Sequence, residues 1–273
     1  MRMIESVVVN EPTLRFRFGA NWIRFLSVLN EQRIDVAQQS LKQTLVVEDL
    51  SDKAFLDVGC GSGLFSLVAR RLGAKVYSFD YDSESVACSR KLKGRYCPLD
   101  SEWSIAVGSA LDKEYLSSLG TFDVVYSWGV LHHTGDMWQA MENVDSLVKP
   151  GGKLVIAIYN DQGWKSIYWR WIKRAYNLNS ICAILLICLH MPYLVGCRWI
   201  VRRVTQRRFM ERGMSLWYDM IDWLGGFPFE VAKPEQIKAF YRQKGFSLNR
   251  SKLCGSRHGC NEFVFVKSRL QDL

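Results

Sequence analysis

Three alternate glycines, Gly59, Gly61 and Gly63, separate two apolar segments of the chain. Residues 53–56 are typical of a short buried strand, and residues 64–73 place apolar side chains at helical spacing before a final glycine. Glycine bends the backbone sharply and lets a ligand approach without a Cβ in the way. The helix N-terminus behind the glycines adds unpaired N–H groups and partial positive charge. This strand–glycine–helix turn therefore predicts a nucleotide site.

Strands and helices continue to alternate after the glycine turn. Further strands are predicted at residues 75–79, 104–107, 122–127 and 153–159, with helices between them, including one that Ser83 caps and one over residues 137–148. A helix at residues 233–244 and strands at 247–254 and 262–266 predict an antiparallel edge pair. The pattern predicts an α/β fold with a doubly wound, mostly parallel seven-stranded sheet.

The rest of the chain divides around this core. We predict an N-terminal helical extension at residues 1–50, a core at 51–160, a helical insertion after strand five at 161–230, and a C-terminal helix and strands at 231–273. The N-terminal helix is expected from residue 21 to about residue 46, with a break near Asn30. It either lies over the mouth of the nucleotide site or packs on the sheet.

The insertion carries most of the net charge of +9. Residues 161–215 contain ten Lys or Arg and two acids, which is +8 and leaves +1 for the remainder. Residues 175–197 have no charged side chain, a length close to the roughly 20 residues that cross a bilayer. Pro192 and His190 interrupt that run. A spanning helix, a cap over the active site and a hairpin on an anionic membrane surface are the alternatives.

The eight cysteines show neither a C-x-x-C pair nor the spacing of a metal site. Cys88, Cys182 and Cys188 lie in apolar runs, which predicts buried free thiols in a reducing compartment. The first residues have no apolar signal region. We therefore expect a protein without a metal site, in the cytoplasm or peripheral on the cytoplasmic membrane face.

Three features distinguish this nucleotide site from a dinucleotide site. The glycines are spaced Gly-x-Gly-x-Gly, Asp57 stands two residues before the first, and the stretch Lys149-Pro150-Gly151-Gly152 precedes strand five. Another acid, Asp80, follows about 20 residues after the turn. Together these motifs resemble the class I S-adenosylmethionine (SAM)-dependent methyltransferases, in particular the ubiquinone-biosynthesis O-methyltransferase branch (methyltransferase type 11/12). The resemblance is strongest over residues 50–160.

The resemblance implies a set of SAM-binding residues. It assigns the ammonium of the methionine part to Asp57, the ribose hydroxyls to Asp80 and the adenine flank to Tyr81. The family usually has an acid after strand three, where this chain has Ser109 and Ala110. Either a backbone contact or Asp112 then serves the adenine. The methionine part is assigned to the glycine turn and the end of strand four: Gly59, Cys60, Gly61, Gly63, Ser127 and Trp128.

The acceptor side follows from the chemistry of methyl transfer. A hydroxyl acceptor must lose a proton, and His132 or His133 after strand four can take it, with His133 favoured. The alternative is that both histidines only pack. Phe16 and Trp128 are candidates for aromatic contacts to the sulfonium, or for plain packing. The resemblance implies that the loop after strand five builds the acceptor pocket. Residues 219–230 are predicted to form such a loop, with Asp222, Trp223 and Glu230 as its candidates, and the alternative is a plain structural loop. The turn at 255–262 is expected to approach the same pocket.

Three functions are compatible with these motifs. The first is a SAM-dependent methyltransferase that acts, at oxygen, on a small-molecule or lipid-linked acceptor. The second is an RNA methyltransferase that uses the basic insertion, which its interleaved aliphatic residues disfavour. The third is a non-catalytic SAM-binding or membrane-associated adaptor. The acceptor, its methylated atom and the oligomeric state stay open.

Overall fold

A seven-stranded sheet runs through the molecule, in a computed structural model that describes residues 14–196 and 216–269. Its strands are β1 (Ala54–Val58), β2 (Lys75–Asp80), β3 (Trp103–Val107), β4 (Phe122–Trp128), β5 (Val148–Tyr159), β6 (Phe246–Lys252) and β7 (Cys260–Lys267). The spatial order is β3-β2-β1-β4-β5-β7-β6. The first five are parallel, and β7 pairs antiparallel with both β5 and β6. This confirms the predicted doubly wound fold with an antiparallel edge pair.

The order reverses between β1 and β4, so the crevice for a ligand lies at the carboxyl ends of these strands. Helices cover both faces of the sheet and form a cap. They are α1 (Phe18–Val28), α2 (Glu31–Leu45), α3 (Leu64–Arg71), α4 (Ser83–Tyr96), α5 (Lys113–Ser118), α6 (Met137–Asp145), α7 (Trp164–Tyr176), α8 (Ser180–Met191), α9 (Leu216–Gly225) and α10 (Pro234–Gln243).

Buried side chains form a separate layer on each face of the sheet. One layer joins the sheet to α6 and α10 around Met141, Tyr241 and Phe265. The other joins it to the N-terminal helices and α3 around Phe25 and Leu67. Burying such a side chain contributes about 1.5–3 kcal/mol, so these two layers fix the strand ends on which the site is built.

The N-terminal extension forms two helices. The chain breaks at Asn30, as predicted, because the Asn30 Oδ1 accepts a hydrogen bond from the Arg33 N–H at 3.0 Å and starts α2 there. The predicted cap of α4 is wrong by one residue. Asp82 caps that helix through a 2.9 Å bond from the Glu84 N–H to its Oδ1, and Ser83 is the first helical residue.

The cap consists of α7, α8 and α9 and has its own apolar cluster around Trp169, Met220, Leu224 and Phe229. The prediction of a loop over residues 219–230 is wrong for its first part, because residues 219–225 belong to α9. None of the helices in the described ranges has the length and apolarity needed to cross a membrane.

The cysteines of the described ranges are free thiols with different exposures. Cys88 is buried as predicted, but Cys182 is half-buried and Cys188 is exposed, because α8 turns that residue toward solvent. The predicted basic cluster at residues 198–212 and the ends of the chain lie outside the described residues. The domain boundaries stay predictions.

Candidate active site

A cavity of about 1600 Å³ extends from the carboxyl ends of β1, β2 and β4 into the cap. Its lining at one end includes the glycine turn and Asp80. At the other end it includes α7, α8 and α9 and the turn before β7. The N-terminal segment forms a further wall. One continuous space therefore joins the predicted cofactor residues to the predicted acceptor residues.

The glycine turn presents its backbone to this cavity. All three of its glycines have positive φ, from 53° to 79°, which only glycine adopts without strain. The Gly59 and Cys60 N–H groups donate to the Phe79 carbonyl at 2.8 and 3.0 Å, which ties the turn to β2. A Cβ on Gly61 would lie 2.9 Å from the indole Nε1 of Trp22, so a larger residue would close this part of the cavity.

Asp80, the last residue of β2, lines the cavity and holds the turn in place. One of its carboxylate oxygens accepts from the Gly61 N–H and the other from the Asp82 N–H, both at 2.9 Å. Burial is the main reason that the pKa of Asp80 is raised to about 6. Each oxygen of a carboxylate can accept more than one hydrogen bond, so Asp80 retains acceptor capacity for a ligand diol.

Asp57 and Cys60 lie on either side of the first glycine and both line the cavity. Asp57 is almost fully buried, and its Oδ2 accepts a 2.6 Å hydrogen bond from the Ser66 hydroxyl. A buried carboxylate facing a cavity suits a cationic ligand group such as an ammonium. Burial raises the pKa of the Cys60 thiol well above its usual range, so this side chain stays a neutral wall.

The end of the cavity beyond Asp80 is lined by Tyr81, Ser109 and Ala110. The Arg15 guanidinium lies 4.7 Å from the centroid of the Tyr81 ring. Asp112, the predicted alternative for the adenine, does not line the cavity. Its carboxylate instead caps α5 by accepting from the Tyr115 N–H at 3.0 Å.

The N-terminal segment lies across the cavity. This position agrees with the alternative in which the segment covers the mouth of the nucleotide site. Phe16, Phe18 and Trp22 line it together with Arg15, while Phe25 farther along α1 packs in the core. The Phe16 N–H donates to the Phe227 carbonyl at 3.0 Å, which joins this segment to the cap. The segment therefore covers the cofactor end and contacts the acceptor end.

The two histidines after β4 have different positions. His133 lines the cavity, and its Nδ1 lies 2.6 Å from the Pro228 carbonyl oxygen. Because a carbonyl accepts only, Nδ1 carries the proton and Nε2 keeps its lone pair. Burial is the largest cause that lowers the pKa of His133 to about 3, so the ring is neutral near pH 7. His132 is fully buried behind it. The centroids of the His132 and Tyr159 rings lie 3.9 Å apart.

Asp222 on α9 lines the acceptor end of the cavity, as does the neighbouring Trp223. The Asn21 amide nitrogen donates to the Asp222 Oδ1 at 2.8 Å and to the Tyr218 carbonyl at 3.1 Å. Burial is the main cause that raises the pKa of Asp222 to about 8. The wall of the acceptor end thus contains a carboxyl group that is largely protonated at neutral pH.

Lys173 is a functional candidate that the sequence counted only as part of the basic insertion. It is fully buried and donates to the Trp223 carbonyl. Its Nζ lies 4.6 Å from the centroid of the Trp223 ring and 5.3 Å from that of Tyr159. Burial lowers its pKa to about 7. Helical spacing could have indicated this burial, because Lys173 follows the buried Trp169 by four residues and so lies on the same face of α7.

Aromatic side chains line the acceptor end more extensively than predicted. Trp169 lies 5.4 Å from Trp223 and 5.2 Å from His258, measured between ring centroids. His258 belongs to the predicted turn at residues 255–262, which does reach the cavity. Tyr168 and His190 complete this wall, with 3.0 Å between the phenol oxygen and Nε2. Their positions depend on tertiary contacts between α7, α8 and the turn.

Four predicted site residues lie outside the cavity lining: Gly63, Ser127, His132 and Glu230. Gly63 starts α3 and packs against Ser89. The Ser127 hydroxyl donates to the Val58 carbonyl at 3.2 Å inside the sheet. Glu230 accepts a 3.0 Å hydrogen bond from the Met137 N–H. These residues lie next to the cavity and contact the elements that form its wall.

The residues around the glycine turn fit SAM. The turn has no Cβ at Gly61, where a side chain would meet Trp22, and Asp80 has acceptor capacity directed at the same cavity. Asp57 adds a buried carboxylate that would hold an ammonium, and Tyr81 adds a ring that would flank an aromatic base. This donor set matches a ligand with an ammonium, a vicinal diol and an aromatic base.

Comparison with known proteins gives the same result. Residues 56–156 match the methyltransferase domain family. The ubiquinone biosynthesis O-methyltransferase of Xanthomonas oryzae pv. oryzae is 33% identical over 135 residues, which cover 50% of this chain and 52% of that protein. The Brucella ovis protein of the same name is 34% identical over 107 residues, covering 39% of this chain and 41% of that protein. The chain thus spans about half the length, or less, of these curated relatives.

Solved structures share the fold at low identity. Magnesium protoporphyrin IX methyltransferase from Synechocystis PCC 6803 with bound SAH aligns with a TM-score of 0.53 at 15% identity, over 88% of this chain and 89% of that one. A putative methyltransferase of Haloferax volcanii in complex with the Trm112 activator has a TM-score of 0.53 at 13% identity, covering 93% and 99%. Residues 56–156 therefore form a methyltransferase domain, and the fold around them is one that solved methyltransferase structures share.

Proposed function

We propose that this protein transfers a methyl group from SAM to an oxygen atom of a small-molecule or lipid-linked acceptor. The observation that carries the proposal is the single cavity that joins the glycine turn and Asp80 to the aromatic wall of the cap. A donor and an acceptor bound in one space can be aligned for direct transfer. The names of the relatives, ubiquinone biosynthesis O-methyltransferases, support oxygen as the methylated atom.

SAM, when bound, supplies a methyl group already activated on a sulfonium. The chain must therefore mainly bind, orient and exclude water. We assign the ribose hydroxyls to Asp80 and the ammonium to Asp57, which both line the cavity. The N-terminal segment with Trp22 covers the glycine turn and keeps water from the transfer site.

His133 is our candidate for the group that receives the acceptor's proton. Its Nδ1 is held by the Pro228 carbonyl, which leaves Nε2 as the basic atom. Its pKa of about 3 keeps Nε2 unprotonated at physiological pH, so the atom can accept a hydrogen bond from the acceptor hydroxyl, but the same shift makes it a weak base. Asp222 is the second candidate, because its ionised form is the stronger base although it is the minor form at neutral pH.

The acceptor is proposed to be flat or conjugated on the side that enters the cap. Trp169, Trp223 and His258 form a wall of rings about 5 Å apart, which suits stacking against such a molecule. A lipid tail on the acceptor would leave toward the aliphatic residues of α8. This aliphatic surface supports a lipid over RNA as the partner of the basic insertion, because RNA requires a polar, positively charged groove.

We infer a cytoplasmic location, at the inner face of a membrane. The thiols of the described ranges are free, and none of the disulfides that stabilise secreted proteins is present there.

The proposal is tested by incubation with methyl-labelled SAM and a cell extract separated into lipid, RNA and small-molecule pools. We expect label in the lipid or small-molecule pool, in a linkage that resists mild base as an ether does. An Asp80→Ala enzyme serves as the control and should transfer little label. Label in the RNA pool would instead favour the RNA methyltransferase. SAM binding without transfer to any pool would favour a non-catalytic adaptor.

A further inference from the structure

The solvent-facing side of the cap is apolar along two helices. On α8 the residues at one helical face, Ile181, Ile184, Leu185 and Leu189, are exposed, and on α7 the same holds for Trp164, Ile167 and Trp171. Each of these seven side chains is between 58% and 73% exposed. A surface helix normally turns such residues toward the core and polar residues toward solvent. On this surface, which we call the cap face, apolar side chains point toward solvent instead.

The charged residues of α7 and α8 themselves have one sign. Arg170 and Arg174 are exposed on α7, and Lys165 is half-buried beside Trp164. Between Trp164 and Met191 the sequence contains no Asp and no Glu. Tryptophan, aliphatic residues and Lys or Arg without acids form the composition of helices that lie in the interface of an anionic bilayer.

The cap face also reaches the cavity. Trp164, Tyr168 and Leu189 are exposed to solvent and at the same time line the acceptor end. A side chain with both properties stands at an opening of the cavity. The opening is therefore bordered by the cap face itself, and a molecule dissolved in a bilayer under that face would enter without crossing water.

We propose that the cap face docks on an anionic phospholipid bilayer and admits a membrane-dissolved acceptor into the cavity. The docking stands on the cap face alone, whereas the route of the acceptor rests on the proposed function. A second copy of the chain is a poorer occupant, because a symmetric contact would bring Arg170 and Arg174 of both copies together with no acid on this face.

Flotation with vesicles tests the docking. Wild-type protein is mixed with vesicles of phosphatidylcholine, alone or blended with phosphatidylglycerol, and centrifuged through a density gradient. We expect flotation with the blended vesicles that falls as salt is added. The Ile184→Glu/Leu185→Glu double variant should float at least about tenfold less. Two aliphatic side chains that the bilayer would bury are then replaced by carboxylates, which the anionic lipid repels. Arg170→Gln should weaken flotation more at low salt than at high salt.

Leu99→Glu is the matched control, since Leu99 is 96% exposed in the turn before β3, far from the cap in the sequence. It should float as the wild type does. Calorimetry with SAM on every variant checks that the core is folded and keeps this test separate from the proposed function. Equal flotation of the wild type and the double variant, or no flotation of the wild type, would overturn the docking. So would a wild-type dimer that the double variant converts to a monomer without any flotation.

Discussion

Asp80 is more than a hydrogen-bond acceptor at the end of β2, because its acidity is shifted into the physiological range. Burial raises its pKa to about 6, against about 4 for an ordinary aspartate. The ionised carboxylate can accept hydrogen bonds from both hydroxyls of a diol, whereas the protonated form loses part of this capacity. If Asp80 holds the ribose as proposed, we expect the affinity for SAM to depend on the protonation of this residue.

We expect SAM to bind about tenfold more weakly at about pH 5 than at about pH 7.5, since only about a tenth of Asp80 is then ionised. Asp80→Asn should bind more weakly at both pH values and show no such change. Calorimetric titration at the two pH values measures this. Wild-type affinity that is equal at both would contradict the assignment of Asp80.

The proton acceptor can be identified by pH because the two candidates differ in acidity. With His133 as base, the initial rate at saturating SAM should be flat between about pH 6 and about pH 8, because its pKa of about 3 lies far below. His133→Asn should lower the rate about 10²- to 10⁴-fold. A rate that instead rises about tenfold per pH unit up to about pH 8, and loses this rise in Asp222→Asn, would assign the role to Asp222.

At the scale of elements, the strands and the glycine turn were predictable and α9 was not. The strands are short, mostly apolar segments between helical patterns, and the sharp turn between β1 and α3 requires glycine, so local pattern is sufficient there. In α9, Asp219 and Asp222 mix with aromatic residues before two glycines, and this composition is typical of a loop. The helix forms because Met220 and Leu224 pack in the cap cluster, which is tertiary information.

Helix α1 is expected to act as the cover of the cofactor end. Trp22→Ala should weaken SAM binding about tenfold, because the indole shields the Gly61 turn from water and its removal leaves an open cavity wall. Ile23→Ala, on the same helix but outside the cavity lining, is the control and should bind as the wild type. Similar affinities for SAM in both variants would show that α1 only packs on the sheet.

At the scale of the whole molecule, the site depends on contacts between distant parts of the chain. The Asn21–Asp222 hydrogen bond joins residues 201 positions apart, and the His133–Pro228 bond joins residues 95 apart. No local pattern predicts such pairs, so the sequence could name candidate residues for the acceptor end but not the contacts that hold them in place. The burial of Lys173 could not be predicted from the sequence either. A lysine is normally exposed because of its charge, and only the packing of α7 buries this one.

The buried Asp222 should make the stability of the whole fold depend on pH. Its folded pKa of about 8 lies above an unfolded value of about 4, so its stabilisation is complete below about pH 4 and is lost as pH rises through about 8. Relative to Asp222→Asn, the wild type should lose up to about 1.4 kcal/mol of unfolding free energy per pH unit in this window. Urea unfolding of both proteins at several pH values measures the difference, and a constant difference would contradict the raised pKa.

The central claim, that the glycine turn and Asp80 form a SAM site, is tested most directly by calorimetry with SAM. The wild type should bind, and Asp80→Ala should bind about a hundredfold more weakly, equivalent to about 3 kcal/mol for two hydrogen bonds to a charged group. Asp112→Ala, which removes a helix cap outside the cavity, should bind SAM as the wild type does. A wild-type protein that does not bind SAM, or equal losses of affinity in both variants, would contradict the account.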